Sequence, residues 1–270
     1  MSFDFTKSDQ ALLQKIVKQA AIEELLPSFG KREFTYKDDG SVITSADIAM
    51  QKRLDEELKQ AWPNIELLGE EMTDEEQQAV IDSGEVYWCV DPLDGTNNYA
   101  MGLPMFAVSI ALVVNAESVL GLIYDPTRDE MFTARKGEGA FLNGEKLKII
   151  SHTHHAHRIV AEIEMKRLSE TLLLRLIKEQ PFGSQRNSGS SAIDWCWMSA
   201  GRFDMYLHGG QKLWDYAAGH LIFHEVGGRS ISLDGEPVFR GQLETRSVLA
   251  AQDSSLFDDW YKWVGVPVRQ

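Results

Sequence analysis

The sequence predicts a layered α/β protein, and three patterns carry that prediction. Two segments with helical spacing open the chain, short strands separated by turn residues fill 86–142, and strands then alternate with helices to residue 263. The first half should therefore hold an antiparallel-rich sheet and the second half a mixed one.

Over 8–26, Leu13, Val17, Ala20, Ala21 and Leu25 recur at helical spacing. The turn-rich Lys37-Asp38-Asp39-Gly40-Ser41 follows. Thr44 and Ser45 then offer N-caps to a second helix carrying Ala46, Met50, Leu54 and Leu58, which Pro63 stops. Acidic residues crowd 70–85, a solvated loop or helix. Val86–Val90 reads as a short apolar strand running into Asp91, and Phe106–Val114, apolar on both alternating faces, as a strand covered on both sides. Val119–Tyr124, Glu130–Ala134 and Ala140–Leu142 continue as a meander, turning at Asp-Pro, Gly-rich and Asn143-Gly144 sequences. The second half reads strand 158–163, helices 169–179 and 189–200, strand 203–207, helix 215–226, strands 229–233 and 247–251, and helix 253–263. A boundary near residue 150 divides an α+β subdomain, 1–150, from an α/β subdomain, 151–270. With no repeat, low-complexity tract or Pro/Gly/Ser-rich linker, the two should pack together.

A chain of 270 residues can bury a sizeable core, and 43% hydrophobic with 25% charged residues fits a soluble globular protein. No apolar run approaches the ~18–20 residues of a membrane span, and the first residues lack a signal-peptide pattern. Cys89 and Cys196 lie in apolar segments and read as buried thiols, so the expected compartment is cytoplasmic. The net charge of −14 argues against nucleic acid or an anionic membrane as the main partner. It also sets a condition on any phosphate-ester substrate: bound divalent cations must reverse the local sign.

Three stretches concentrate the acids. In Trp88-Cys89-Val90-Asp91-Pro92-Leu93-Asp94-Gly95-Thr96-Asn97-Asn98 a buried strand delivers two carboxylates, three residues apart, to a turn. Pro92 fixes the backbone direction, Gly95 permits close approach to a ligand, and Thr96 with the following amides opens a helix whose N-terminus suits phosphate. Carboxylates without paired Cys or His suit magnesium rather than zinc. Leu68-Gly69-Glu70-Glu71 and Leu213-Trp214-Asp215-Tyr216-Ala217-Ala218-Gly219 add further acids. Taken singly, each stretch has a plain structural explanation: a strand-ending turn, solvated glutamates, and an acid in the first turn of a helix.

Together, and in this order, they closely resemble the motifs of the inositol monophosphatase family of metal-dependent, lithium-sensitive phosphatases. Lys37 through Asp47, with its Thr44-Ser45-Ala46-Asp47 end, Phe106–Ala111, Gly189-Ser190-Ser191-Ala192 and Glu225-Val226-Gly227-Gly228 extend the resemblance over residues 8–250. It implies an α-β-α-β-α sandwich, a homodimer, and a Mg²⁺-dependent phosphomonoesterase that cleaves a small phosphorylated metabolite with metal-activated water. By the same resemblance Glu70, Asp91 and the Leu93 carbonyl hold one magnesium, Asp91, Asp94 and Asp215 a second, and Glu70 with waters a weaker third. Glu70 and Thr96 would orient and deprotonate the attacking water, with Asp47 hydrogen-bonded to Thr96. Asp94, Gly95, Thr96, Ser191 and His208 would contact substrate. Four carboxylates bring −4, which two Mg²⁺ cancel, and a third Mg²⁺ would balance a phosphate dianion.

Asn97-Asn98-Tyr99 looks most like the branch acting on inositol 1-phosphate. Fructose 1,6-bisphosphate and 3′(2′),5′-bisphosphate nucleotides are alternative substrates, and a non-catalytic regulatory protein on the same fold is an alternative of another class. His208 falls where inositol phosphatases often have a Glu that accepts hydrogen bonds from substrate hydroxyls. A neutral imidazole cannot reproduce that paired acceptance, so His208 should bear on which ester is taken. The cluster His152, His154, His155 and His157 reads as a solvated loop, and Trp195 and Trp197 as packing or interface residues.

Overall fold

The computed structural model describes residues 5–37, 40–84, 86–150 and 158–268. Helix α1 (Lys7–Ala20) starts at Thr6, whose side chain and Asp9 cap each other's backbone N–H groups. It continues through one wider turn, Ala21–Leu25, and one tighter turn, Leu26–Ser28. Strands β1 (Thr35–Tyr36) and β2 (Val42–Ile43) form a small hairpin, and α2 (Ser45–Ala61) follows with the expected Thr44 cap. Next come β3 (Glu66–Gly69) and α3 (Asp74–Ser83), which makes the acidic stretch a helix.

Strand β4 (Val86–Asp94) runs four residues beyond the expected end at Val90 and leads into the short α4 (Thr96–Met101). The meander is β5 (Ala107–Val114), β6 (Glu117–Asp125), β7 (Glu130–Arg135), β8 (Gly139–Leu142) and β9 (Glu145–Lys146). Then follow β10 (Val160–Glu164), α5 (Glu170–Glu179), β11 (Ser184–Arg186), α6 (Ser191–Ser199), β12 (Met205–Gln211), α7 (Leu213–Val226), β13 (Arg229–Ile231), β14 (Arg246–Ala251) and α8 (Ser254–Val264). The histidine cluster at 152–157 lies outside the described residues.

The strands form a seven-stranded sheet in the order β3-β4-β5-β6-β7-β8-β9 and a five-stranded sheet in the order β11-β10-β12-β14-β13. In the first, only β3 runs parallel to its neighbour. In the second, β10 is parallel to both β11 and β12, while β14 is antiparallel to β12 and β13. Three cores stack through the molecule. Leu13, Val17, Met50 and Leu54 of α1 and α2 pack on Trp88, Val90, Ile110 and Leu122. The alternate strand residues, Cys89, Ala107, Ala111 and Ile123, face α6 and α7, whose other side meets Tyr206, Val248 and Ala250 of the second sheet. Leu172, Leu176, Leu256 and Trp260 of α5 and α8 close the outer face. Strand alternation therefore produces the α-β-α-β-α sandwich.

Helix α7 presses unusually close to the first sheet. A Cβ on Gly121 of β6 would stand 2.6 Å from the Ala218 carbonyl, so only glycine fits there. Ser109 Oγ donates to the Trp214 carbonyl at 3.2 Å and Ser118 Oγ to the Ala217 carbonyl at 3.0 Å, which pins the start of α7 onto β5 and β6. The free thiols Cys89 and Cys196 are buried, and Trp195 is fully buried. Trp197 packs between the guanidinium groups of Arg128 and Arg202, 5.0 and 5.4 Å from its ring.

Candidate active site

Asp91 and Asp94 sit three residues apart on β4, and in a regular strand they would point to opposite faces. The pairing with β5 slips between them: Asp91 faces Ser109 and Asp94 faces Ala107, so β4 spends one extra residue over the interval. This bulge returns Asp94 to the face of Asp91, toward α6 and α7. Asp215 arrives there in the first turn of α7, anchored one residue earlier by the Ser109–Trp214 hydrogen bond. One oxygen from each of Asp91, Asp94 and Asp215 can be chosen so that all three lie within 4.8 Å of one another.

Each of the three is held by its own backbone surroundings. Asp91 Oδ1 accepts the Leu93 N–H at 2.9 Å, and Asp215 Oδ2 accepts the Lys212 N–H at 2.8 Å. Asp94 Oδ2 accepts the Ala192 N–H at 2.7 Å and the Ser190 hydroxyl, so the N-terminus of α6 clamps it. Burial pushes all three carboxyls up: Asp94 to about 6, and Asp91 and Asp215 well above their ordinary range, with neighbouring carboxylates adding to the rise in the last two. Like charges crowded in a dry site, with oxygen donors only, fit a hard divalent cation such as magnesium.

Glu70 lies on the same cavity but is not among the three that converge. Lys37 draws it aside, its Nζ standing 3.0 Å from Glu70 Oε1 and 2.7 Å from Glu71 Oε1. Burial nevertheless lifts the Glu70 carboxyl to about 7, against the pull of Lys37. Thr96 Oγ1 lies 2.9 Å from Asp47 Oδ1 and 3.0 Å from the Leu93 carbonyl, to which it can donate its single proton. The other Asp47 oxygen caps α2 by accepting from Thr44 N and Oγ1 at 2.8 and 2.6 Å. Between them Gly95 takes φ +91°, and a Cβ there would come within 2.8 Å of the Met105 carbonyl.

Glu70, Asp91, Leu93, Asp94, Gly95, Thr96 and Asp215 line a cavity of about 490 Å³ that also contains Ser191 and His208, and Asp47 sits beside it through Thr96. Every residue named from the sequence as a ligand, catalytic group or substrate contact is therefore at or immediately beside one cavity. Sequence reasoning missed Lys37, the Ser190 clamp, and four further lining residues, Glu164, Lys166, Arg167 and Asn187. It also missed the acids behind Asp94. Glu162, fully buried, accepts the Ser188 N–H at 3.1 Å and is pushed up to about 7, and Ser188 donates to the buried Asp194. A Ser-Gly-Ser-Ser run before an apolar helix was the available signal for Ser190, since Ser is a favoured N-cap.

A two-sheet sandwich with a buried three-carboxylate centre where β4 ends and α7 begins is a phosphatase architecture. The sequence profile of the inositol monophosphatase family matches residues 8–262, and the chain belongs to that family. The fructose-1,6-bisphosphatase/inositol-1-monophosphatase of Aquifex aeolicus is 34% identical over 231 residues, 83% of this chain and 85% of that protein. The Nus factor SuhB of Haemophilus influenzae is 35% identical over 225 residues, 81% of each chain. Among solved structures, the Thermotoga maritima IMPase superposes with a TM-score of 0.82 at 25% identity, covering 96% of this chain and 97% of that one. No helix among the described residues is long and apolar enough to cross a membrane.

Proposed function

We propose that this chain is a Mg²⁺-dependent phosphomonoesterase that hydrolyses a small phosphorylated metabolite, with inositol 1-phosphate the first ester to test. The observation that carries the proposal is the convergence of Asp91, Asp94 and Asp215 in a buried site where Asp91 and Asp215 have carboxylates as their largest charged neighbours. Such a centre gains little from burial unless a cation enters it. Asp91, Asp94 and Asp215 would hold one magnesium, and Glu70, Asp91 and the Leu93 carbonyl another, with a third in reserve beside Glu70. Bound magnesium supplies Lewis-acid charge that neutralises the phosphoryl oxygens and lowers the pKa of water.

The chain's own groups do the positioning. Thr96 gives its proton to Asp47 or the Leu93 carbonyl, so its oxygen presents only lone pairs to a water. Glu70, which lines the same cavity, would accept the proton of that water. The Gly95 and Thr96 amides would cradle the phosphate, and Ser191 and His208, on the same cavity, would meet the rest of the ester. The resemblance to a Nus factor raises a regulatory reading, but a purely regulatory scaffold has no need of the filled carboxylate set.

The test is hydrolysis of inositol 1-phosphate, β-glycerophosphate and fructose 1,6-bisphosphate by purified protein. Activity should vanish in EDTA and return with Mg²⁺, and millimolar Li⁺ should inhibit it uncompetitively. Full activity in metal-free buffer would overturn the proposal.

A further inference from the structure

Behind Asp94 lies a second pair of acids. Glu162 of β10 and Asp194, in the first turn of α6, are 0% and 2% exposed. Burying two carboxyls costs free energy unless their oxygens are engaged, and here one residue engages both. Ser188 donates its N–H to Glu162 Oε1 at 3.1 Å and its hydroxyl to Asp194 Oδ1. Arg186, opposite Glu162 on β11, is exposed and turns its guanidinium to the Gln185 carbonyl. Glu162 Oε2 has no hydrogen-bond partner among the described residues. Burial raises Glu162 to about 7, and burial together with the Glu162 charge raises Asp194 well above the ordinary carboxylate range, so a proton stays on the pair near neutrality.

The two acids hold a turn, and the turn holds Asp94. The Ser190 N–H donates to Ser188 Oγ at 3.1 Å, and the Ser188 carbonyl accepts from Asn98 Nδ2 at 2.8 Å, which ties the turn to α4. From this turn the Ser190 hydroxyl reaches Asp94 Oδ2, the oxygen that also accepts the Ala192 N–H at 2.7 Å. Ser190 Oγ meanwhile accepts the Ile193 N–H at 3.3 Å, which leaves its single proton for Asp94. Asp94 stands on the first sheet, whereas Glu162 belongs to the second and Asp194 to α6. The direction of the Asp94 carboxylate therefore depends on where the Ser188–Ser190 turn sits between the two sheets.

We infer that Glu162 and Asp194 are positioning residues for Asp94: by accepting hydrogen bonds from Ser188 they fix the turn that aims the Asp94 carboxylate at a cation shared with Asp91 and Asp215. They act through the oxygens they offer rather than through charge, since a protonated carboxyl still presents a carbonyl oxygen to Ser188. The inference rests on the metal reading of the carboxylate centre and extends it to residues that need not touch the cation or the ester.

Mg²⁺ binding, measured by calorimetry without substrate, tests it. The binding step that Asp94→Asn removes identifies the site to follow. Ser188→Ala, Glu162→Ala and Asp194→Ala should each weaken that step about 10- to 100-fold, the range for lost supporting contacts around a metal. Glu162→Gln and Asp194→Asn keep an acceptor oxygen and mimic a protonated carboxyl, and should stay within about threefold of the unsubstituted protein. An unchanged dissociation constant in the three alanine variants overturns the inference, even if their melting temperatures fall, because the acids then serve the fold alone. Equal losses in the amide and alanine variants overturn it as well, since charge would then be the cause. Should the alanine variants of the acids not fold, Ser188→Ala and the two amide variants decide in the same way. If the unsubstituted protein shows no Mg²⁺ binding that Asp94→Asn removes, the metal reading of the centre fails and the inference falls with it.

Discussion

Two parts of the cavity lining are built in different ways. On the acid wall, Asp91, Asp94 and Asp215 stand on a buried strand and a buried helix, and their carboxylates are crowded beyond what the chain itself neutralises. Elsewhere on the lining, Glu164 ends β10, His208 lies within β12, and Lys166, Arg167 and Asn187 lie in loops. The first concentrates carboxylates, and the second mixes one carboxylate with two cations. The carboxylates thus stand on regular elements, whereas much of the remaining lining is carried by loops, where changes perturb packing least.

The largest effect should come from breaking the acid wall. Asp94→Asn and Asp215→Asn should each lower kcat by more than the roughly 100-fold upper range of lost supporting contacts. Near-normal rates in either variant would remove these residues from the centre. The same substitutions should flatten the pH dependence of metal-free stability. Asp94 and Glu70 have folded-state pKa values raised to about 6 and about 7, as does Glu162 at about 7, and Asp91, Asp194 and Asp215 are raised further; together these outnumber the depressed His208, His220 and His224, so the fold binds more protons than the unfolded chain between about pH 4 and 7. Stability in EDTA should therefore fall as pH rises through that window, at about 2–4 °C of melting temperature per kcal/mol, and Mg²⁺ should restore it most at high pH. A metal-free melting temperature that rises from pH 5 to 8 would contradict the raised values.

A smaller loss is expected one step back from the carboxylates. Asp47→Asn keeps an oxygen to cap α2 but weakens acceptance of the Thr96 proton, and should lower kcat about 10- to 100-fold with little change in KM. Thr96→Val should behave similarly. Unchanged kcat with intact thermal stability would leave Thr96 outside the handling of water.

The smallest effect tests the rest of the lining. His208→Glu replaces a donor by an acceptor, and should raise kcat/KM for inositol 1-phosphate relative to β-glycerophosphate by about tenfold, the value of one net hydrogen bond. The measurement is that ratio in proteins shown to fold and bind Mg²⁺ alike. An unchanged ratio would place His208 out of reach of the substrate.

Much of the framework was legible because its elements are long and their burial periodic. The helix expected over 8–26 and the strand over Phe106–Val114 are both present, and the N-cap expected at Thr44 is observed. The hairpin of β1 and β2, β3 and β11 were not read, since two to four residues show no period. Strand β4 was read short because Pro92 and Gly95 look like a turn, whereas a bulge carries the pairing on to Asp94. Lys37 was read only as part of a loop, because its pairing with Glu70 joins residues 33 positions apart.

By itself, then, the sequence determined the layered fold class, through periodicity that is local to the chain, and the order of the acidic motifs, whose resemblance to a known family named the candidate carboxylates. Only the tertiary structure decided that Asp91 and Asp94 share a face, that Asp215 meets them beneath Ser109, and that Lys37 holds Glu70 aside. It alone decided that Glu164, Asn187 and His208 line the same cavity, because a strand end, a loop and a neighbouring strand meet only once the second sheet has formed.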